Sequence, residues 1–268
     1  MSEEFVLNED NYYTSEANER YMSFHTYLQY AGHGMITPCE ARAVAIAKGE
    51  WVEPVTDAML VGSYVDSYFD NSLDKFKTEH PEIFTQKGEL RSQYKRAERM
   101  IARCEKDPFF MKFMSGEKQT IMTGYWAGCD WKIKMDSYIE HNAIVDLKTA
   151  SDIHRAYSIP GVGTLDFTDC YFYIGQLALY QKIVEINTGE KLECYIAVVT
   201  KEDEPEIAVI DFDQETLDNA LTEIEENLPS VLMVRNGEAQ PTRCEHCNFC
   251  KATRKLSGTT YYRDLIAQ

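Results

Sequence analysis

The sequence is short of several things. No run approaches the ~18 consecutive apolar residues that cross a bilayer, so no membrane-spanning helix is expected. It has no internal repeat, low-complexity tract or long linker, which sets aside solenoids, fibres and disordered tethers. The opening Met-Ser-Glu-Glu-Phe is acidic and lacks the apolar stretch of a secretory signal, so a cytoplasmic location with reduced thiols is expected. Basic residues are scarce: 27 Lys and Arg stand against 44 Asp and Glu, a net charge of −17. In bulk, that deficit opposes association with polyanions. Its distribution weakens the objection. Residues 201–240 hold 12 acids and 2 bases, residues 1–20 hold 6 acids and 1 base, and the remainder is near neutral.

What is present is the makings of a core. Hydrophobic residues make up 44% of 268 against 26% charged, enough to bury the interior of one large domain or two small ones. Helix formers over 40–48, 56–70 and 90–105 make the first half helical. Alternating β-branched and aromatic residues then mark strands at 119–126, 130–138 and 143–149. A helix over 170–187, strands at 192–200 and 206–212, and an acidic helix over 214–227 capped by Asp213 follow. This order predicts a mixed α/β layer architecture in one domain, 1–268: a helical part (1–115), an α/β core (116–236) and an irregular cysteine-rich segment (237–268).

The stretch 130–149 carries the clearest chemical signal. Side chains alternate across a strand, so Trp131, Ile133 and Met135 are expected to share one face with Val145, Leu147 and Thr149. Lys132, Lys134 and Asp136 would share the other with Ile144, Asp146 and Lys148. A turn centred on His141 sets Asp136 opposite Asp146, and a one-residue slip would part them. Two adjacent carboxylates repel unless a cation sits between them, and Mg²⁺ accepts carboxylates, water and phosphate oxygens. Lys148 would orient or help deprotonate an attacking water and offset charge on a phosphate. On spacing alone, a solvated hairpin face with cross-strand ion pairs accounts for the same residues.

Asp136 followed by Asp146-Leu147-Lys148 resembles the bipartite D…(D/E)xK motif of the PD-(D/E)XK nuclease superfamily. Gln176 and Tyr180, one turn apart, resemble the QxxxY helix of its RecB-type and exodeoxyribonuclease VIII-type branch. Residues 59–70 are similar to that branch's glycine-then-histidine helix, with Asp66 where histidine is frequent, and residues 21–50 look like its opening. The resemblance implies a restriction-endonuclease-like core, a mixed β-sheet flanked by helices. It implies Mg²⁺- or Mn²⁺-dependent exonuclease hydrolysis at linear duplex DNA ends, as in phage-type recombination. Alternatives on the same fold are an endonuclease, a single-strand nuclease, or a non-catalytic DNA-binding subunit. Carried over by position, Asp136, Asp146 and the Leu147 carbonyl bind metal, Lys148 is catalytic, and Gln176 and Tyr180 support the site or touch DNA. Asp66 joins the metal set, since magnesium prefers oxygen ligands, or is a surface acid; Glu117 is a weaker candidate.

Residues 244–250 read Cys-Glu-His-Cys-Asn-Phe-Cys. Cys244, Cys247 and Cys250 at this spacing suggest a metal site lacking its fourth ligand, or three free thiols on a loop. Related nucleases join one early cysteine to three late ones around a [4Fe–4S] cluster, which makes Cys39 the first choice; His246 would instead complete a Cys₃His zinc site. For DNA, Arg91, Lys95, Arg96, Arg99 and Arg103 would form a basic stripe on one helix, or a solvated face beside Glu98 and Glu105. Arg243, Lys251, Arg254, Lys255 and Arg263 form a second basic set. The family resemblance also implies a homo-oligomer and a single-strand annealing protein as partner.

Overall fold

The computed structural model describes residues 5–265. Helices come first: α1 (Ser15–Arg20), α2 (Phe24–Ala31), α3 (Glu40–Ala47), α4 (Asp57–Phe69), α5 (Leu73–Glu79), α6 (Arg96–Glu105) and α7 (Pro108–Phe113). Strands β1 (Thr120–Trp126), β2 (Cys129–Met135), β3 (Ser137–Ile139) and β4 (Ala143–Ala150) follow. A small hairpin, β5 (Tyr157–Ile159) and β6 (Gly163–Leu165), precedes α8 (Phe167–Cys170) and α9 (Tyr173–Thr188). The chain continues through β7 (Glu193–Thr200), β8 (Ile207–Asp211), α10 (Gln214–Arg235) and α11 (Asn248–Ala252).

The central sheet has the order β3-β4-β7-β8. Its outer pairs are antiparallel, while β4 and β7 are parallel. A parallel pair requires a long crossover, and the segment containing α9 supplies it. Ile144, Ile196 and Val198 pack with Leu177 and Val184 of α9 and Ile224 of α10. On the opposite face, Val145, Leu147, Ala197 and Val199 pack with Val61 and Val65 of α4, Met100 of α6 and Phe110 of α7. Each fully buried valine, leucine or isoleucine contributes about 1.5–3 kcal/mol, so the two helical layers clamp β4. No helix among the described residues is long and apolar enough to cross a membrane.

Local signals explain the elements that carry the site. The Thr56 hydroxyl caps α4 by accepting the Met59 N–H at 3.2 Å. Gly62 brings α4 close to β4: a Cβ there would lie 3.0 Å from Thr149 Oγ1. Asp66 is one turn further along the same face. Gly189, with φ +77°, ends α9 by donating its N–H to Glu185.

Several boundaries differ from the sequence expectation. The strand expected over 130–138 breaks at Asp136. Trp131, Ile133 and Met135 consequently join the core beside α9 and α10, while Val145 and Leu147 enter the opposite core, so the shared apolar face does not form. Helix α6 begins at Arg96 rather than near 90, because Leu90 bridges to Phe84 and Arg91–Tyr94 turns back. The helix expected over 170–187 is divided at Phe172, whose φ is +54°. Helix α10 runs to Arg235 in spite of Pro229, held by its buried face of Ile224, Leu228, Val231 and Val234.

Candidate active site and cysteine site

The register of β3 and β4 pairs Ser137 with Val145 and Tyr138 with Ile144, about a turn that has His141 at φ +57°. The same register carries Asp136 to Asp146, as the spacing indicated. Asp136 lies just outside the strands and uses Oδ2 to accept the Leu147 N–H at 2.8 Å. Its Oδ1 accepts from Gln119 Nε2 at 3.3 Å. Asp146 is buried on β4, where Lys148 Nζ lies 2.6 Å from its Oδ2 and Gln176 Nε2 donates to its Oδ1 at 2.8 Å. Lys148 also donates to Gln176 Oε1 at 3.1 Å, closing a three-membered ring of side chains. Gln176 Nε2 reaches Tyr180 Oη at 3.0 Å. One turn of α9 thus supports the β4 carboxylate and its lysine together.

These groups border one cavity of about 1030 Å³, joined by Asp66 and Leu147. The electrostatics are those of acids packed together. Burial and then Asp146 push the Asp136 carboxyl up to about 6. Burial and then Asp136 push Asp66 well above the ordinary carboxylate range. Burial alone would lower the Lys148 ammonium, but Asp146, Tyr173 and Asp136 hold it raised. Acids whose negative charge is disfavoured, offering oxygen donors with one lysine beside them, suit a hard divalent cation.

The structure gathers Asp66, Asp136, Asp146, Leu147, Lys148, Gln176 and Tyr180 at this cavity. It does not bring Glu117 there: that residue is exposed and pairs through its backbone with Tyr138. Lys132 and Lys134 line the same cavity, as expected; the Lys132 ammonium is bonded to Tyr12 O and Asn18 Oδ1, where burial and Arg235 lower its pKa to about 8. Residues not anticipated from sequence include Gln119, Asp70, His25 and an aromatic lining of Tyr13, Trp51, Tyr171 and Tyr173. Tyr173 could have been found, since it lies three residues before Gln176 on α9; Lys148 Nζ sits 4.6 Å from its ring centre. Trp51 and His25 meet β4 only through the tertiary fold, which a local pattern does not encode.

The cysteine segment closes on the N-terminal half. Cys39, Cys244, Cys247 and Cys250 place their sulfurs within 4.8 Å of one another. Cys39 Sγ lies 3.6 Å from Cys250 Sγ and 3.8 Å from Cys247 Sγ, and Cys244 Sγ lies 3.9 Å from Cys250 Sγ. Metal–sulfur bonds of about 2.3 Å in a tetrahedron give sulfur separations of about 3.8 Å. The four thiols therefore fit a single tetrahedral ion. A cubane binds each thiolate through a different iron and needs them further apart. His246 is exposed and stands outside the group. Glu40 Oε2 accepts both the N–H and the hydroxyl of Thr242, stapling α3 to the same segment. Phe249, between two of the cysteines, packs edge-on against Trp51 of the cavity wall. The other four cysteines are buried singly.

The proposed basic stripe is only partly realised. Arg91 and Lys95 precede α6, and Arg91 Nε is used by Phe84 O. Arg96, Arg99 and Arg103 are on the helix, with Arg99 paired to Asp203 at 3.3 Å. In the second basic set, Arg243 and Arg254 bind Glu245 and neighbouring oxygens within the cysteine segment, so they fold it.

No curated protein matches the chain. A crystal structure of a presumed exonuclease from Eubacterium rectale is 48% identical with a TM-score of 0.95, and the match covers 98% of this chain and 99% of that one. A structure of a protein called SSO0001 is a remote likeness, 13% identical with a TM-score of 0.31 over 82% of this chain and 96% of that one. The profile of the PDDEXK-like domain of unknown function (DUF3799) matches residues 22–253. Since that match spans the α/β core, both halves of the bipartite motif and all four clustered cysteines, the chain belongs to this PDDEXK-like family.

Proposed function

We propose that the protein is a divalent-metal-dependent DNA nuclease, acting as an exonuclease at the ends of linear duplex DNA from a single domain. The observation that carries this reading is the meeting of Asp136, Asp146 and Lys148 at one cavity, with Asp136 fixed to the Leu147 N–H and Asp146 fixed by Gln176. Asp66, Asp136, Asp146 and the Leu147 carbonyl would hold Mg²⁺ or Mn²⁺, which lowers the pKa of bound water and polarises a phosphoryl group. Lys148 would hold a water near the scissile phosphate and offset the charge growing on its oxygens. Gln176 is a positioning residue that bonds to both the lysine and the carboxylate and fixes their orientation. Tyr180 secures Gln176.

At the cysteine site, a single tetrahedral zinc ion is the reading the sulfur separations support, and the iron–sulfur cluster of the family resemblance is the alternative. Its role would be structural, with binding energy serving as folding energy. A role in phage-type recombination, an annealing partner and homo-oligomeric assembly rest on resemblance alone.

The test is nucleotide release from end-labelled linear duplex with Mg²⁺, beside covalently closed circles and an Asp146→Ala control. Release from linear DNA only, lost in the variant, supports the exonuclease. Cleavage of circles supports an endonuclease. No release with Mg²⁺ or Mn²⁺ would leave a non-catalytic DNA-binding subunit. A single-strand nuclease is favoured by one further observation: Tyr13, Trp51, Tyr171 and Tyr173 line the cavity and could stack unpaired bases. Faster hydrolysis of single-stranded than of duplex oligonucleotides would select it.

A further inference from the structure

Outside the carboxylate cavity lies a second depression of about 310 Å³, lined by Ser92, Gln93, Arg96, Arg99, Lys201 and Asp203. Three cations face one acid here, in a chain whose net charge is −17. The acid is a weak neutraliser: the Asp203 side chain is fully exposed and meets a half-exposed Arg99 at 3.3 Å, a solvated pair that adds little stability. Among the described residues, Lys201 has no acid within ion-pair distance. Its backbone N–H is bonded to Ala150 O, which fixes it where β4 and β7 end. Burial lowers its ammonium pKa, Arg96 lowers it further, and only Asp66 opposes. The packing of α4, which carries Asp66, against α6, which carries Arg96 and Arg99, sets the depression beside the carboxylate cavity.

Under-neutralised cations beside Ser92 and Gln93, with Arg96 Nε held by Gln93 O at 3.2 Å, match a tetrahedral oxyanion. The arginines lie one turn apart on α6, so both guanidinium groups present to the same side of the helix. We propose that this depression binds a backbone phosphate of DNA, holding the strand outside the cavity while the reacting phosphate lies at Asp136 and Asp146. This inference rests on the nuclease reading of that cavity. It adds Lys201, Ser92 and Gln93 to the arginines of α6 as one phosphate site, and it leaves Arg91 outside.

The chemistry is shared by a backbone diester and by free phosphate or a mononucleotide, so the experiment separates them. Anisotropy of a labelled duplex is measured on Asp146→Asn protein with Ca²⁺, over about 50–200 mM salt. Arg96→Gln/Lys201→Gln is compared in the same background, with thermal unfolding as the control for folding. The expected result is duplex affinity reduced about tenfold at the lowest salt. The slope of log affinity against log salt should be shallower by about 0.9 for each DNA phosphate that the variant no longer neutralises, with unfolding unchanged. Equal affinity and slope in the two proteins would overturn the proposal. So would Lys201-dependent binding of inorganic phosphate or deoxyadenosine monophosphate with no change toward duplex, which would mark a free-phosphate site. Binding is read on an inactive protein, so absence of hydrolysis by the wild type would refute the nuclease reading without deciding this one.

Discussion

Asp136→Asn should make the metal-free protein more stable while abolishing its activity. Asp136 and Asp146 are packed in a cavity that also holds Asp66, and burial followed by Asp146 pushes the Asp136 carboxyl up to about 6. Against an ordinary aspartate near 3.9, that is about two pKa units, or ~3 kcal/mol at 1.36 kcal/mol per unit. Partial exposure of the side chain screens the repulsion and brings the expected range to about 1–3 kcal/mol. The sign follows from the proton binding. The folded carboxyl holds its proton more tightly than the unfolded one, so stability falls as pH rises through the window from about 4 to 6, and the whole penalty is present at neutral pH. Asparagine retains an Oδ to accept the Leu147 N–H, which preserves the backbone contact. The assay is urea unfolding at neutral pH in EDTA, repeated with Mg²⁺. The variant should be the more stable protein in EDTA, and Mg²⁺ should raise the wild type more than the variant. If Asp136→Asn is no more stable than wild type in EDTA, or both respond equally to Mg²⁺, the carboxylates are not a cation site.

Gln176→Ala leaves a buried Asp146 oxygen without its donor, which costs about 1–3 kcal/mol; by analogy with groups that orient metal ligands, activity should fall about 10–100-fold. Chemical denaturation and initial hydrolysis rates would show both, and an unaffected rate would remove Gln176 from the site. Metal analysis should find one zinc per chain, lost in Cys39→Ser together with a lower unfolding temperature; four irons with acid-labile sulfide would contradict this. His33 donates to Glu223 of α10 at 2.8 Å and Asp169 of α8 at 3.1 Å, and it stacks on Phe172. Burial lowers its pKa but the two carboxylates outweigh it, so its contribution is full below about pH 6.5 and fades as pH rises through the higher folded value. His33→Gln should flatten the stability profile in that window. Gly34→Ala places a Cβ 2.4 Å from Cys170 O at a residue with φ +51°, and should lower the unfolding midpoint by more than a surface alanine does.

The acidic pair was legible because a turn centred on His141 fixes a register, and register is local. Which core each side of the hairpin enters was not legible. The alternation that set Trp131 beside Val145 assumes an unbroken strand, and the chain breaks at Asp136 to aim that carboxylate at Leu147 N–H. Lys132 does line the cavity, but what its ammonium binds was not legible. Its partners, Tyr12 and Asn18, come from more than a hundred residues away. Cys39 was placed by family analogy, and no spacing in the sequence points to it. The spacing of the late cysteines does not distinguish zinc from a cluster. Trp51 carried no signal at all; it matters because Phe249 leans on it.

The cysteine site also sets an order of events in the cell. Cys39 and Cys250 are 211 positions apart. At about 5–20 residues per second of translation, Cys39 leaves the ribosome roughly 10–40 s before its partners are made. Through that interval α3 lacks its link to the C-terminal segment, and Trp51 has no Phe249 to rest against. The cavity wall is therefore among the last surfaces to be completed, after the acids of α4 and β4 are already in place. A chain cut short before residue 244 would carry every proposed catalytic side chain and still lack the clamp that finishes the cleft.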